Sequence, residues 1–544
     1  MEVAVKKRAL TLCCLGSALL LSVPWLLPHA GVVALVAFLP LLLADRMAAR
    51  AGVRHFWVWH YGTFVLWNAL TTFWVCHATV GGGLFAIFAN AAQMSLIFGL
   101  FRFSRRRFPP VVSYIFLAAA WLAWERWYCT GAQISWPWLV LGNAFAQSTQ
   151  SIQWYSITGV LGGSLWVWAV NLGFFGLLSA LSDGRFRTWN AKARTAAVSA
   201  LLLSVLGPLV LSGILYRQAA PASGQTLPAI VAQPNFNPYE KFSTLSQAQQ
   251  TDILLSQFAE APSGGGVLLV APETFCHDIL LPDFHASATF CRFQEFLASR
   301  PETDLLFGAT TYHYTNARHA PSLLALPYGA GWLESHNSAV MTAGGGRAEV
   351  YHKSKLVVGT ELTPYPGFFI PVERWLCRVF GWEPPLMGRC IGQDAPACLH
   401  LSDGTPLGCA VCYESVYAEH CAAYVRQGAR VLAVITNDAW WGNTPGYRQH
   451  LSYSRLRAIE TRRDIIRCGN TGISCFIDRR GDILSQTPWW TRTSLCGEAA
   501  LYDGETFFVR QGDVTGRISA LIFVLLSALL LVRCLVRKTE GHAV

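Results

Sequence analysis

The chain is 544 residues long, with 53% hydrophobic, 13% aromatic and only 14% charged residues. Soluble domains carry about 25% charged residues, so this composition argues against disorder, a coiled coil or an ordinary cytosolic enzyme. The formal charge of +10 suggests nucleic acid at first sight, but the placement of the basic residues points elsewhere. Apolar residues concentrate before residue 216 and after residue 515, and the mixed stretch between them is long enough to bury a substantial core.

A bilayer core about 30 Å thick needs about 20 apolar helical residues. In chain order the candidates are 9–27, 31–43, 56–75, 83–100, 111–124, 160–181, 195–215 and 518–532. The second is short, contains Pro40 and is closed by Asp45, so a broken or re-entrant span is expected there. The first has the outline of a signal peptide. The next apolar segment follows almost at once with no clear cleavage site, so an uncleaved anchor is expected.

Basic residues flank alternate ends of these stretches. Lys6, Lys7 and Arg8 precede the first, and Arg46, Arg50 and Arg54 follow the second. Arg102, Arg105, Arg106 and Arg107 follow the fourth, Arg185, Arg187, Lys192 and Arg194 the sixth, and Arg533, Arg537 and Lys538 the eighth. The loops 76–82 and 128–158 have no Lys or Arg, and Arg126 beside Glu125 is the exception to the alternation. Positive residues favour the cytoplasmic side, so eight spans are expected with both termini cytoplasmic. Residues 1–216 then hold seven spans, 217–514 an extracytoplasmic domain, and 515–544 the eighth span and a tail.

In the outer region, apolar runs of strand length alternate with helical stretches. The runs are 230–233, 267–271, 305–310, 338–341, 407–413, 431–436 and 473–477; the helical stretches are 253–260, 286–297, 416–427 and 447–466. Continuous apolar strands alternating with helices predict a sheet covered on both faces in an α/β domain. Of the sixteen cysteines, eleven fall in this region. An oxidising compartment would permit disulfides, but an odd number leaves at least one thiol without a partner in the chain, and the sequence does not assign the pairs.

Three segments carry chemistry: Val270-Ala271-Pro272-Glu273-Thr274, Tyr351-His352-Lys353-Ser354-Lys355-Leu356 and Val411-Cys412-Tyr413-Glu414-Ser415. A nucleophilic cysteine needs a base for its proton and a positive or N–H-rich environment for the oxyanion. Glu273, Cys412 and Lys353 answer those needs, with the Tyr413 N–H as a second oxyanion donor. Taken singly, each has a plainer reading: an inert small hydrophobe, a capping carboxylate, a surface lysine. Cys409 and Cys412 also form C-x-x-C, but a redox pair normally opens a helix, zinc needs a second ligand pair, and 407–413 reads as a strand. His277, His336, His352, His420 and His450 lack metal-ligand spacing, and no metal is expected.

In order and with these flanks, the three segments resemble the nitrilase (carbon–nitrogen hydrolase) superfamily, whose triad is Glu-Lys-Cys. Ile435-Thr436-Asn437-Asp438-Ala439-Trp440-Trp441-Gly442, then Gln449-His450, then Asn470-Thr471-Gly472-Ile473 with Gly481-Asp482, extend the resemblance. With the spans and Trp136-Pro137-Trp138-Leu139 added, it narrows to the bacterial apolipoprotein N-acyltransferase family. The resemblance implies a helical membrane bundle of about eight spans plus a nitrilase-like αββα sandwich. It implies Glu273 as base, Lys353 as stabiliser and Cys412 as nucleophile, with Glu361, Tyr413 and Glu414 in support. Lys355 is the competing lysine, and Phe242, which stands where the family often has a tryptophan, is a candidate for a purely apolar substrate contact.

The activity implied is acyl transfer from a membrane phospholipid, through a Cys thioester, to the α-amine of a diacylglyceryl-apolipoprotein. The enzyme is expected in the bacterial inner membrane with its catalytic domain periplasmic, as a monomer without cofactor or nucleic acid. Trp440, Trp441, Pro364, Tyr365, Phe368 and Phe369 are candidates to line a lipid-facing mouth. The rivals are a membrane-anchored amidase acting on a small substrate, and a transporter or receptor with a binding domain. The spans contain almost none of the ionisable residues that a solute pathway uses.

Overall fold

The computed structural model describes residues 2–219, 224–239, 241, 244–259 and 266–540. Helical structure covers all eight apolar stretches. The first seven comprise α1 (Glu2–Leu26), a 3-10 turn (Gly31–Leu35) leading into α2 (Leu39–Arg50), α3 (Trp57–Thr72), α4 (Val80–Ser104), α5 (Pro110–Thr130), α6 (Val160–Ser182) and α7 (Ala191–Gln218). The second stretch is broken, with Pro40 in the first turn of α2, where a missing N–H costs no helical hydrogen bond.

Six segments are long and apolar enough to cross a membrane by length and composition. The other two are α3, which has only 16 residues, and α5, which carries Glu125 and Arg126. The basic residues gather at one end of the bundle. Asp183 is paired with Arg46, Arg50 and Arg185 there, and Asp45 with Arg102 and Arg105.

At the opposite end the bundle meets an αββα sandwich. The first sheet contains β1 (Thr226–Gln233), β2 (Val267–Val270), β3 (Cys276–Leu281), β4 (Thr303–Thr315), β5 (Leu326–Tyr328), β6 (Gly331–Ala343) and β7 (Ala348–His352). The second contains β8 (Leu399–His400), β9 (Pro406–Val411), β10 (Val431–Thr436), β11 (Ile465–Gly469), β12 (Cys475–Ile477) and β13 (Ile483–Gln486), and β14 (Thr493–Ala500) returns to pair antiparallel with β1. The strand orders are β14-β1-β2-β4-β6-β5, with β3 on β4 and β7 on β6, and β13-β12-β11-β10-β9-β8.

Strand alternation builds the layers. Val231, Leu268, Val270 and Met341 face the second sheet's Cys409, Val411, Ala433 and Ile435 in one core. Ile230, Leu269, Leu305 and Phe307 face the other way, under α8 (Gln247–Gln257) and α9 (Ala288–Ala298). Helices α10 (Pro366–Phe380), α11 (Ala418–Arg426) and α12 (Pro445–Thr461) complete the domain, and α13 (Val514–Glu540) returns to the bundle.

Three local expectations are corrected. The strand expected over 407–413 ends at Val411, because Cys412 turns into the left-handed region at φ 52°. The helix expected over 447–466 stops at Thr461, where Arg462 takes φ 52°, and Ile465–Gly469 pairs in parallel with β10 instead. The last apolar run keeps strand structure only over Cys475–Ile477. All sixteen cysteines are free thiols.

Candidate active site

The three segments singled out above converge where the ends of β2, β7 and β9 meet. Glu273 lies just past β2 in a turn held against β4: the Ala271 N–H donates to Leu306 O, and the Gly308 N–H to Pro272 O. A Cβ on Gly308 would sit 2.5 Å from the Glu273 Cα, so only glycine lets the strand pass this close behind the carboxylate. Glu273 is 6% exposed. Its Oε1 accepts from Lys353 Nζ at 3.0 Å and from Asn337 Nδ2 at 2.8 Å, while Oε2 accepts from the Asn437 N–H at 3.1 Å.

Lys353 follows β7, anchored by its N–H to Asn337 O at 2.8 Å. Its ammonium is fully buried and lies 3.0 Å from both Glu273 and Glu361. Burial alone would push that ammonium down. The two carboxylates outweigh it and hold Lys353 well above the ordinary lysine range, so it remains a cation. Lys355 points elsewhere, with its Nζ 5.6 Å from the Tyr417 ring centre. Glu361 also accepts from the Val357 N–H at 2.7 Å, which fixes its loop.

Cys412 opens a 3-10 turn directly after β9. A left-handed conformation at a non-glycine residue costs about 1–3 kcal/mol; here it lifts the side chain out of the strand and into the cleft. The turn is braced from behind by Glu414, which accepts from the Val411 N–H at 2.8 Å, Tyr351 Oη at 2.6 Å, the Ser354 N–H at 2.7 Å and the Lys355 N–H at 3.1 Å. One carboxylate thus ties the cysteine turn to the lysine loop. Burial pushes Glu414 up, but His420 and these donors hold it at about 2. The Cys412 thiol is pushed well above its ordinary range, by burial first and Glu273 second, with Lys353 and the Thr436 hydroxyl pulling the other way. It therefore rests protonated and needs a base.

Tyr413 packs outward from this turn. Its hydroxyl donates to Ser135 O at 3.0 Å, and its ring stacks on Trp136. Trp74, Trp138 and Trp441 continue the aromatic wall, and both Trp74 and Trp138 donate to Gln449 Oε1. Behind Cys412, His450 pairs Nδ1 with Asp438 at 2.8 Å and Nε2 with the Cys412 carbonyl at 3.1 Å. Ligand-type atoms of Cys412, Asp438 and His450 lie within 4.8 Å of one another, a convergence their sequence spacing did not reveal. The Asp438 carboxylate is already paired with Arg467 at 2.6 Å and His450, so a metal ion would have to displace a guanidinium from it.

Sequence reasoning missed Asn337, whose amide bridges Glu273 at 2.8 Å and Glu361 at 2.6 Å. It stands one residue before an apolar run, with no motif around it. Lys241 was missed too; it is buried and donates to Thr274 O, and burial lowers its ammonium to about 8. Phe242 lies outside the described residues. Trp440 is 38% exposed and packs edge-on against Tyr239, whereas Trp441 lines the cavity above Cys412.

That cavity has a volume of about 620 Å³. It runs from Cys412 and Tyr413 past Trp136 and Trp441 to Phe85 and Ala89 of α4. Pro364 and Phe369 also line it, while Phe368 and Tyr365 are exposed beside it.

The carbon–nitrogen hydrolase family model matches residues 230–503, and the apolipoprotein N-acyltransferase N-terminal domain model matches residues 17–173. The chain is 28% identical to an apolipoprotein N-acyltransferase of Chlorobaculum tepidum over 501 residues, covering 90% of each chain. It is 27% identical to one of Geobacter metallireducens over 528 residues, covering 92% of this chain and 91% of that one. Among solved structures, Saccharomyces cerevisiae Nit3, a member of branch 10 of the nitrilase superfamily, aligns with 54% of this chain and 96% of its own at 13% identity and a TM-score of 0.36. Because the longer match runs through the sandwich from β1 to beyond β14 and the shorter one lies on the bundle, the chain belongs to the carbon–nitrogen hydrolase family as a membrane acyltransferase of the apolipoprotein N-acyltransferase kind.

Proposed function

We propose that the protein moves an acyl chain from a membrane phospholipid to the α-amine of the N-terminal diacylglyceryl-cysteine of an apolipoprotein, through a thioester on Cys412. The observation that carries this reading is the cavity of about 620 Å³ between Cys412 and α4. A small, soluble amide has no need of an apolar passage that reaches the membrane helices, whereas a lipid ester does.

Glu273 takes the thiol proton while the Cys412 sulfur attacks the ester carbonyl carbon. The oxyanion is stabilised by the Lys353 ammonium and the Tyr413 N–H. Its collapse breaks the C–O bond, and the departing lysophospholipid oxygen takes the proton from Glu273. The neutral α-amine then attacks the thioester, Glu273 accepts the amine proton, the C–S bond breaks and the thiolate recovers that proton. Asn337 and Glu361 hold Glu273 and Lys353 in register throughout. An acyl chain filling the apolar cavity excludes water, which favours the amine over hydrolysis.

The domain is proposed to sit on the periplasmic face of the inner membrane, because the basic ends of the helices gather away from it. The test mixes full-length protein in phospholipid vesicles with a diacylglyceryl lipopeptide whose α-amine is either free or acetylated. The reading predicts N-acylation of the free amine alone, lost in Cys412→Ala. Hydrolysis of small amides with no acyl transfer would overturn it in favour of an amidase.

A further inference from the structure

A second cavity, of about 950 Å³, opens at the basic end of the bundle, remote from Cys412, among α2, α5, α6 and α13. Its wall is apolar, with Ile115, Leu165, Leu172 and Phe175, and small residues such as Ala169 and Gly176 leave the groove deep. Its mouth is cationic: Arg46, Arg50 and Arg185 share the single carboxylate of Asp183. Arg105, also at the mouth, shares Asp45 with Arg102. Each carboxylate is outnumbered, so positive charge remains uncompensated. Ser179 lines the same cavity, and its Oγ is buried with no hydrogen-bond partner among the described residues. Trp189 stands at the rim, a residue type favoured at the lipid–water boundary.

We propose that this cavity binds one anionic glycerophospholipid, its phosphate among Arg46, Arg50 and Arg185 and its acyl chains along the groove between α5 and α6. A zwitterionic headgroup leaves the excess charge unmatched, and a free phosphate leaves the apolar wall uncovered. Basic pockets between membrane helices hold anionic headgroups by this combination. The site is separate from the cavity above Cys412 and does not rest on the acyl-transfer reading.

The test uses full-length protein, stripped of lipid in detergent, then incubated with phosphatidylglycerol or phosphatidylcholine and examined by native mass spectrometry. One phosphatidylglycerol per chain is expected, retained about tenfold more strongly than phosphatidylcholine. Replacing the three arginines (R46Q, R50Q and R185Q together) is expected to abolish that preference. A second variant, Gly176→Leu, keeps every charge; a Cβ there meets open space, so the helix tolerates it while the side chain fills the groove. It is expected to lose phosphatidylglycerol retention, and it decides the matter if the arginine variant does not fold. Equal retention of the two lipids by the unaltered protein, or undiminished retention in Gly176→Leu, would overturn the proposal. So would displacement of phosphatidylglycerol by millimolar inorganic phosphate.

Discussion

Lys353 and Lys355 stand two residues apart in the sequence, yet one is buried between two carboxylates and the other faces Tyr417. Lys353→Ala leaves Glu273 and Glu361 facing each other with no cation between them. It is expected to lower the acyl-transfer rate by about three orders of magnitude or more, since positioned charge in a dry site is commonly worth about 10²–10³ and the base is misplaced as well. Lys355→Ala is expected to stay within a few-fold of the unaltered rate. Side-by-side turnover measurements check this, and equal losses would place the chemistry wrongly. Glu414 makes a different prediction. Its carboxylate lies at about 2 in the fold against an ordinary 4.5, so it stabilises the protein above pH 4.5, and that contribution drains away as pH falls toward 2. The apparent Tm should drop between these limits, and Glu414→Gln should begin lower with a shallower acid slope. Parallel slopes would contradict the role of Glu414 as the brace between the two loops.

At the scale of elements, periodicity revealed the apolar strands buried on both faces: β2, β10, the second half of β1 and the buried first part of β4. It did not reveal β14, whose residues alternate between half-buried and exposed, or β7, which ends just before Lys353 and reads as loop. The boundary at Cys412 was invisible because the apolar run continues to Tyr413, and only the backbone turn ends the strand. The three candidates Glu273, Lys353 and Cys412 were legible because each sits in a short motif, and the fold brings those motifs together. Asn337 was not, since its partners come from two other segments far along the chain. Helix α10 also went unseen, with Pro366 and Pro371 inside it. Its outer side exposes Phe368, Trp375, Val379 and Phe380, with Trp382 just beyond, while Phe369 lines the cavity. Such a helix suits the membrane surface. Replacing Phe368, Trp375 and Phe380 together with serine is expected to leave thermal stability nearly unchanged, because these side chains are already exposed. Turnover on vesicles should fall about five- to tenfold, roughly 1 kcal/mol of lost bilayer contact. Unchanged turnover would remove α10 from lipid entry.

Across the whole molecule, bundle and sandwich are packed as one body. Tyr413, Val416, Tyr417, Tyr453, Leu456 and Ile459 from the catalytic domain belong to the same buried cluster as Trp25, Trp74 and Trp138. Trp25 Nε1 donates to Tyr453 Oη at 3.0 Å, and Gln449 donates to Trp25 O. Residues 217–514 expressed alone would expose that apolar face, which predicts aggregation or inactivity, read by size-exclusion chromatography and turnover. A soluble, active fragment would show that the bundle is only an anchor. The aromatic wall that joins the two parts also lines the cavity at Cys412.

The most direct test of the central claim is peptide mass mapping of the full-length protein after incubation with phospholipid alone. The prediction is a long-chain acyl mass on the peptide containing Cys412, released by hydroxylamine and absent in both Cys412→Ala and Glu273→Gln. An unmodified Cys412 in protein that still acylates a lipopeptide, or an acyl group mapped to another residue, would contradict it.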